Sequence, residues 1–80
     1  MRYEVATTLA PQEAITAAKD YFGSQGIGLD IIAEGDLCVT LQGGGGHVSV
    51  VARPGAKSTT LELETREWDY PVRQFMHKVS

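Results

Sequence analysis

The sequence predicts an α+β fold in which two helices pack on one face of a five-stranded antiparallel sheet with strand order 1-5-4-3-2. Two stretches, one near each end of the chain, place apolar residues at helical spacing. The segments between them favour strands and are separated by turns rich in glycine or proline. The run Gly43–Gly46 joins two such segments in the pattern of a β-hairpin. The element order is therefore β-α-β-β-β-β-α, in one small domain over residues 1–80.

The first strand and helix follow from periodicity. Arg2–Thr8 alternates between two faces with period two, as a strand with one buried face does. Pro11 suits a first helical position because its missing N–H would be unpaired there, and the helix extends to about Phe22. Gly23 and Gly26 then offer a left-handed helix end. The apolar stripe of this helix is Ala14, Ile15, Ala18, Tyr21 and Phe22.

The remaining elements are bounded by turn residues. Strand two is expected over about Ile27–Ala33, followed by a three-residue turn at Glu34–Asp36. A four-residue loop at Pro54–Lys57, with proline and glycine placed for a type II turn, leads into strand five, which ends near Arg66. The last helix is expected over Pro71–Val79, with one apolar face.

Turn lengths fix which residues lie side by side. With Gly44 and Gly45 as a two-residue turn of type I′ or II′, every inward pair of the tip hairpin is apolar. Extended across four strands, the predicted inner rows are Leu29-Leu41-Val48-Leu63, Ile31-Val39-Val50-Leu61 and Ala33-Leu37-Ala52-Thr59. The predicted outer rows are Ile32-Cys38-Val51-Thr60, Asp30-Thr40-Ser49-Glu62 and Gly28-Gln42-His47-Glu64.

This β-α-β4-α element order resembles one repeat of the TATA-binding-protein-like fold and a shortened helix-grip domain of the START and polyketide-cyclase type. In helix-grip proteins, ligands lie between a curved sheet and the long last helix. The last helix here is short and the intervening space is expected to be filled by side chains. The resemblance therefore implies an architecture and assigns no ligand-binding residue.

The net charge, the single cysteine and the short apolar runs each argue against a class of function. A net charge of -3 and a pI near 5.2 provide no basic field for phosphate backbones, so nucleic acid is not the expected partner. The single Cys38 cannot form an intramolecular disulfide, which favours a cytoplasmic location. No apolar run has the length of a signal peptide or a membrane span, so no membrane association is expected.

The predicted binding residues lie mainly on the outer face of the sheet. Its first row carries no charge, which suggests that a second copy of the chain or another protein covers it. Trp68 precedes the expected helix N-cap, Asp69, and is interpreted as a packing staple, with an acidic-aromatic contact patch beside Tyr70 as the alternative. The predicted binding residues are Ile32, Cys38, Thr40, His47, Ser49, Val51 and Trp68.

The spacing of the candidate residues does not favour a catalytic site or a metal site. His47 beside Glu64 has the composition of a general-base pair, but Ser49 stands about 6.5 Å from His47 on a flat face that offers no oxyanion donors. Cys38 and His47 lie about 13 Å apart along the strand, too far for a thiol–imidazole dyad. His47, Glu64 and Glu62 are too few for a metal site. We expect no catalytic residue, no metal and no cofactor.

The function that the sequence predicts is a small non-enzymatic binding or assembly module, acting as a homodimer or on another protein. The alternative is a small apolar-ligand-binding protein or enzyme of helix-grip type. Its pocket would lie between the sheet and the last helix, lined by Leu41, Val48, Leu63, Phe75 and Met76.

Overall fold

The computed structural model describes residues 1–80 and confirms the predicted fold class. Five antiparallel strands form one sheet in the order β1-β5-β4-β3-β2, and the helices contact the same inner face. The elements are β1 Arg2–Thr7, α1 Pro11–Phe22, β2 Asp30–Gly35, β3 Cys38–Gly43, β4 Gly46–Pro54, β5 Thr59–Arg66 and α2 Asp69–Val79.

Helix α1 has the predicted bounds. Its first turn is closed by Glu13, whose carboxylate accepts a hydrogen bond of 2.9 Å from the Ala10 N–H. The helix ends before Gly23, but this residue is extended and not left-handed, which corrects the predicted cap. Glycine is needed there because a Cβ would collide with the Lys19 carbonyl oxygen. The buried residues of α1 are Ala14, Ile15, Ala18 and Phe22.

The hairpin of β3 and β4, which we call the tip hairpin, has the predicted register. Gly43 pairs with Gly46, and the two residues between them have positive φ, 60° at Gly44 and 82° at Gly45. Two successive positive φ values define a type I′ turn, whose twist matches that of the strands. The inward pairs are Val39 with Val50 and Leu41 with Val48, all buried.

The β4–β5 loop begins one residue later than predicted. Pro54 pairs with Thr59, so the four loop residues are 55–58, and Gly55 does not adopt the positive φ that a type II turn requires. The later start allows the buried Thr59 hydroxyl to donate to the Leu9 carbonyl at 2.7 Å. The register moves by two residues, so each side chain keeps its face, and the inward pairs become Val48 with Thr65, Val50 with Leu63 and Ala52 with Leu61.

Strand β2 begins at Asp30 and not at Ile27, because the end of α1 holds the chain that precedes it. Two N–H groups, those of Ile27 and Leu29, donate to α1 carbonyls at 3.0 and 2.8 Å. Between them, Gly28 takes a φ of 99°. N–H groups that are bonded to a helix end are not available to a sheet, so the strand starts later than its residue pattern predicts.

The β2–β3 hairpin, which we call the edge hairpin, also departs from the prediction. Gly35 pairs with Cys38, so the turn contains two residues, and the register shifts between Ile31 and Ala33. Ile32 is the extra residue of a β-bulge there. The predicted inner rows therefore fail at β2.

One hydrophobic core joins the sheet to both helices, and it contains 14 buried residues. Helix α2 starts at Asp69, two residues before the predicted Pro71, and Trp68 is its N-cap. Asp69 is therefore not the N-cap that the sequence predicts. Neither helix is long and apolar enough to span a bilayer.

Candidate functional site

The sheet face opposite the helices, which we call the outer face, has no element of the chain over it. Its residues alternate along each strand with those that enter the core. The two register changes rearrange the predicted rows, so Val51 lies beside Glu62 instead of Thr60 and the predicted uncharged row does not exist. The observed rows are Cys38-Val51-Glu62-Glu4, Thr40-Ser49-Glu64-Arg2 and Gln42-His47-Arg66.

Four predicted binding residues nevertheless come together as an uncharged block at the centre of the outer face. Cys38 pairs with Val51, and Thr40 with Ser49. The Thr40 and Ser49 hydroxyls are 3.2 Å apart and hydrogen-bonded. Val51 is 40% exposed, and Cys38 is a free, exposed thiol. We call these four residues the central patch.

Charged side chains border the central patch on the β5 and β1 side. The Arg53 guanidinium lies 2.8 Å from Glu62 and 3.8 Å from Glu4, and Arg2 lies 3.8 Å from Glu64. These groups are about half exposed or more, so each pair contributes no more than about 1 kcal/mol to stability. The central patch is therefore bordered by side chains of both charges, and these can form new ion pairs with the charged groups of a partner.

His47 and Ser49 do not form a catalytic relay. Glu64 lies opposite Ser49, while His47 lies opposite Arg66, which corrects the predicted His47–Glu64 pairing. The closest approach of the His47 Nε2 to the Glu64 carboxylate is 4.0 Å, beyond hydrogen-bond distance. The Ser49 hydroxyl is bonded to Thr40. This arrangement has no hydroxyl–imidazole contact through which a proton could move.

The other predicted residues lie at the borders of the outer face or away from it. Ile32 is the bulged residue beside Ala33, whose partner is Thr40, and it is 54% exposed. Cys38 stays four residues along β3 from Gln42, the partner of His47. No group of three or more His, Cys, Asp or Glu side chains is arranged to hold a metal ion.

Trp68 is directed to the tip hairpin and not to the outer face. Its indole N–H donates to the Gly43 carbonyl at 2.9 Å. Its ring lies so close to Gly44 that a Cβ there would be 2.7 Å from the ring carbon Cζ2. Packing, the interpretation favoured by the sequence, is therefore the role its contacts show, while the adjacent Tyr70 remains exposed.

A contact that the sequence did not reveal joins the first strand to α2. The Tyr3 hydroxyl donates to the Asp69 carboxylate at 2.7 Å. This hydrogen bond, with desolvation and the carboxylate charge adding to it, raises the pKa of Tyr3 above its ordinary value. The two residues are 66 positions apart, and the predicted pairing of β1 with β5 places Tyr3 beside β5 without giving the position of Asp69 at the start of α2.

The interior has no apolar pocket between the sheet and α2. Four of the five residues proposed to line it are at most 1% exposed and pack in the core: Leu41, Val48, Leu63 and Phe75. The largest depression, about 530 Å³, lies on the helical side and is lined by residues that include Tyr21, Ile27, Phe75 and Val79. A depression of about 380 Å³ on the outer face borders Ser49, Val51, Glu62 and Glu64.

Comparison with known proteins gives no relative: no family model, no curated protein and no solved structure matches the chain.

Proposed function

We propose that this protein is a non-enzymatic binding module, that the outer face of its sheet is the contact surface, and that a second copy of the chain occupies it. One observation carries the proposal: an uncharged central patch lies in the middle of a sheet face that nothing in the chain covers. An amphipathic layer is stabilised when its open face finds a partner. An 80-residue domain with a small core gains most from such a partner.

The charges of the outer face suit a second copy. Three arginines and four carboxylates give it a net charge of -1, against -3 for the whole chain, so two copies repel each other little. The arginines are Arg2, Arg53 and Arg66, and the carboxylates are Glu4, Asp30, Glu62 and Glu64. The same balance disfavours nucleic acid, which requires a clear excess of Arg and Lys.

The area of the outer face is small for a dimer interface. Five strands at about 4.8 Å spacing and about 20 Å long present roughly 500 Å² per copy. Two copies then bury about 1,000 Å², the lower limit of specific interfaces, which corresponds to weak and reversible association. We therefore propose a dimer that forms with rising concentration. The exposed Cys38 thiol near its centre favours a reducing compartment such as the cytoplasm.

Sedimentation velocity over a wide concentration range tests this proposal. The wild-type sedimentation coefficient should rise with concentration, and Val51→Lys should abolish the rise by placing two ammonium groups in the buried centre. Gln74→Lys, an exposed change on α2, is the matched control and should behave as wild type. Cys38→Ser keeps the patch uncharged and should still dimerise. A monomer at the highest concentration, or equal dimers of Val51→Lys and wild type, would contradict the proposal.

The helix-grip resemblance stays a proposal about architecture. The packed side chains between the sheet and α2 favour the binding module over the ligand-binding alternative, because a pocket for a small apolar ligand needs several hundred Å³ of enclosed space.

A further inference from the structure

Strand β2 forms an open edge of the sheet, and its pairing with β3 determines which of its backbone groups face away from the sheet. The Ala52 N–H donates to the Leu37 carbonyl at 2.8 Å, so residues 37, 39 and 41 direct their backbone groups toward β4. Cys38, Thr40 and Gln42 therefore face β2, where they pair with Gly35, Ala33 and Asp30. Three β2 residues are left between these pairs. Ile31 and Glu34, which stand opposite Leu41 and Val39, direct their N–H and C=O groups to the open edge, and the third is the bulged Ile32.

The side chains at this edge provide a surface with two distinct properties. Ile31 and Glu34 lie opposite Leu41 and Val39, which places both on the helical side of the sheet. Ile31 is 43% exposed because the helices do not cover it. Glu34 lies 3.8 Å from Lys19 of α1. A groove of about 490 Å³ between α1 and β2 includes Ile15, Lys19, Glu34 and Asp36 in its lining.

The edge is acidic. Residues 27–37 contain Asp30, Glu34 and Asp36 and no basic residue. Only Glu34 has a cation within 4 Å, so the other two carboxylates are unpaired. This charge also argues against a second copy at the same edge, because pairing β2 with itself would bring two acidic segments together.

We propose that the β2 edge binds an extended basic peptide as a sixth strand, with main-chain hydrogen bonds to Ile31 and Glu34. Bound antiparallel, such a segment places a basic residue beside Glu34 and, two positions later, an apolar residue beside Ile31 on the same face. The recognised pattern is therefore basic-x-apolar. This mode, strand addition beside a helix, combines sequence-independent backbone bonding with side-chain selection. It does not depend on the outer face, so this proposal and the dimer proposal can fail separately.

Nuclear magnetic resonance titration with synthetic peptides tests the proposal. The probe is acetyl-Thr-Lys-Thr-Val-Thr-amide, added to the isotope-labelled full chain. Amide shifts should cluster in residues 30–36 and leave β1 unchanged. A probe with Glu in place of Lys should bind about two- to five-fold more weakly, the range for one exposed ion pair. N-methylation of one bonded peptide N–H should weaken binding about five-fold.

Two variants separate charge recognition from folding. Glu34→Gln should remove most of the preference for the Lys probe. If this variant unfolds, the comparison of the Lys and Glu probes on the wild-type chain tests the same charge recognition. Val51→Lys, which lies on the outer face, should bind the Lys probe as wild type does. No shifts at millimolar peptide, equal binding of both probes, or shifts centred on the outer face would each overturn the proposal. Shifts in residues 30–36 on simple dilution would also overturn it, because they would show a second copy at the edge.

Discussion

The tip hairpin and the edge hairpin share strand β3 but differ in almost every structural respect. The tip hairpin turns through Gly44 and Gly45 with two positive φ values, and its inward pairs are completely buried. The edge hairpin turns at residues 36–37 without positive φ, contains a bulge, and has six exposed residues in β2. One strand is thus bordered by a regularly paired neighbour on one side and an irregular one on the other.

This difference shows where register is encoded. Glycines able to adopt positive φ specify a turn type, and the turn type specifies the pairing. The edge hairpin has no such residues in its turn, so its register depends on contacts outside the turn. Hydrogen bonds from Ile27 and Leu29 to the end of α1 hold back the start of β2. The bulge at Ile32 then restores pairing with β3.

The largest difference between the two hairpins should be in the stability lost when a side chain of each is truncated to alanine. Leu41→Ala should lower the free energy of unfolding by about 3 kcal/mol, because it removes most of a completely buried side chain and leaves a cavity in the core. Ile31→Ala, at the residue paired with Leu41, should cost less than about 1 kcal/mol because that side chain is half exposed. Urea denaturation measures both. Equal losses would mean that the edge hairpin is packed as tightly as the core.

Two adjacent glycines of the tip turn should differ in their tolerance of alanine. Gly44→Ala should cost about 3 kcal/mol, since a positive φ is strained and the new Cβ would displace the Trp68 ring from its bond to Gly43. Gly45→Ala meets no neighbouring atom and should cost only the strain, about 1 kcal/mol. Thermal unfolding of the two variants provides a matched comparison. A greater loss at Gly45 would show that Trp68 does not restrain the tip.

A pH series should produce the smallest effect and should affect neither hairpin. Folding raises the pKa of Tyr3 above its ordinary 10.0, so the stabilisation is complete below pH 10.0 and is lost as the pH rises through the folded-state pKa. Tyr3→Phe lacks the Asp69 bond, so its stability should fall less steeply than that of wild type over this range. Chemical denaturation at several pH values checks the difference in slope. Identical slopes would contradict it.

The sequence allowed the fold class, strand order, helix α1 and the tip hairpin to be predicted, because each depends on local periodicity or a specific turn. It did not locate the β4–β5 loop, since the bond from Thr59 to the Leu9 carbonyl joins residues 50 positions apart. It also missed the start of β2, because the N–H groups of Ile27 and Leu29 bond to carbonyls at the end of α1, a capping contact that the alternation of apolar residues does not reveal. The candidate site was recovered in part: Cys38, Thr40, Ser49 and Val51 adjoin because the tip register was right, whereas the neighbours on β5 were wrong.

The position of Trp68 makes its fluorescence a report on the contact between the tip hairpin and α2. It is the sole tryptophan, and it lies where the tip hairpin meets the start of α2. Its emission spectrum depends on the hydrogen bond and packing that exist only when both parts have come together. Loss of the tip contact would expose the indole to water even while the rest of the sheet remained intact. Fluorescence that changes before circular dichroism during unfolding would therefore identify the junction as the first part of the molecule to open.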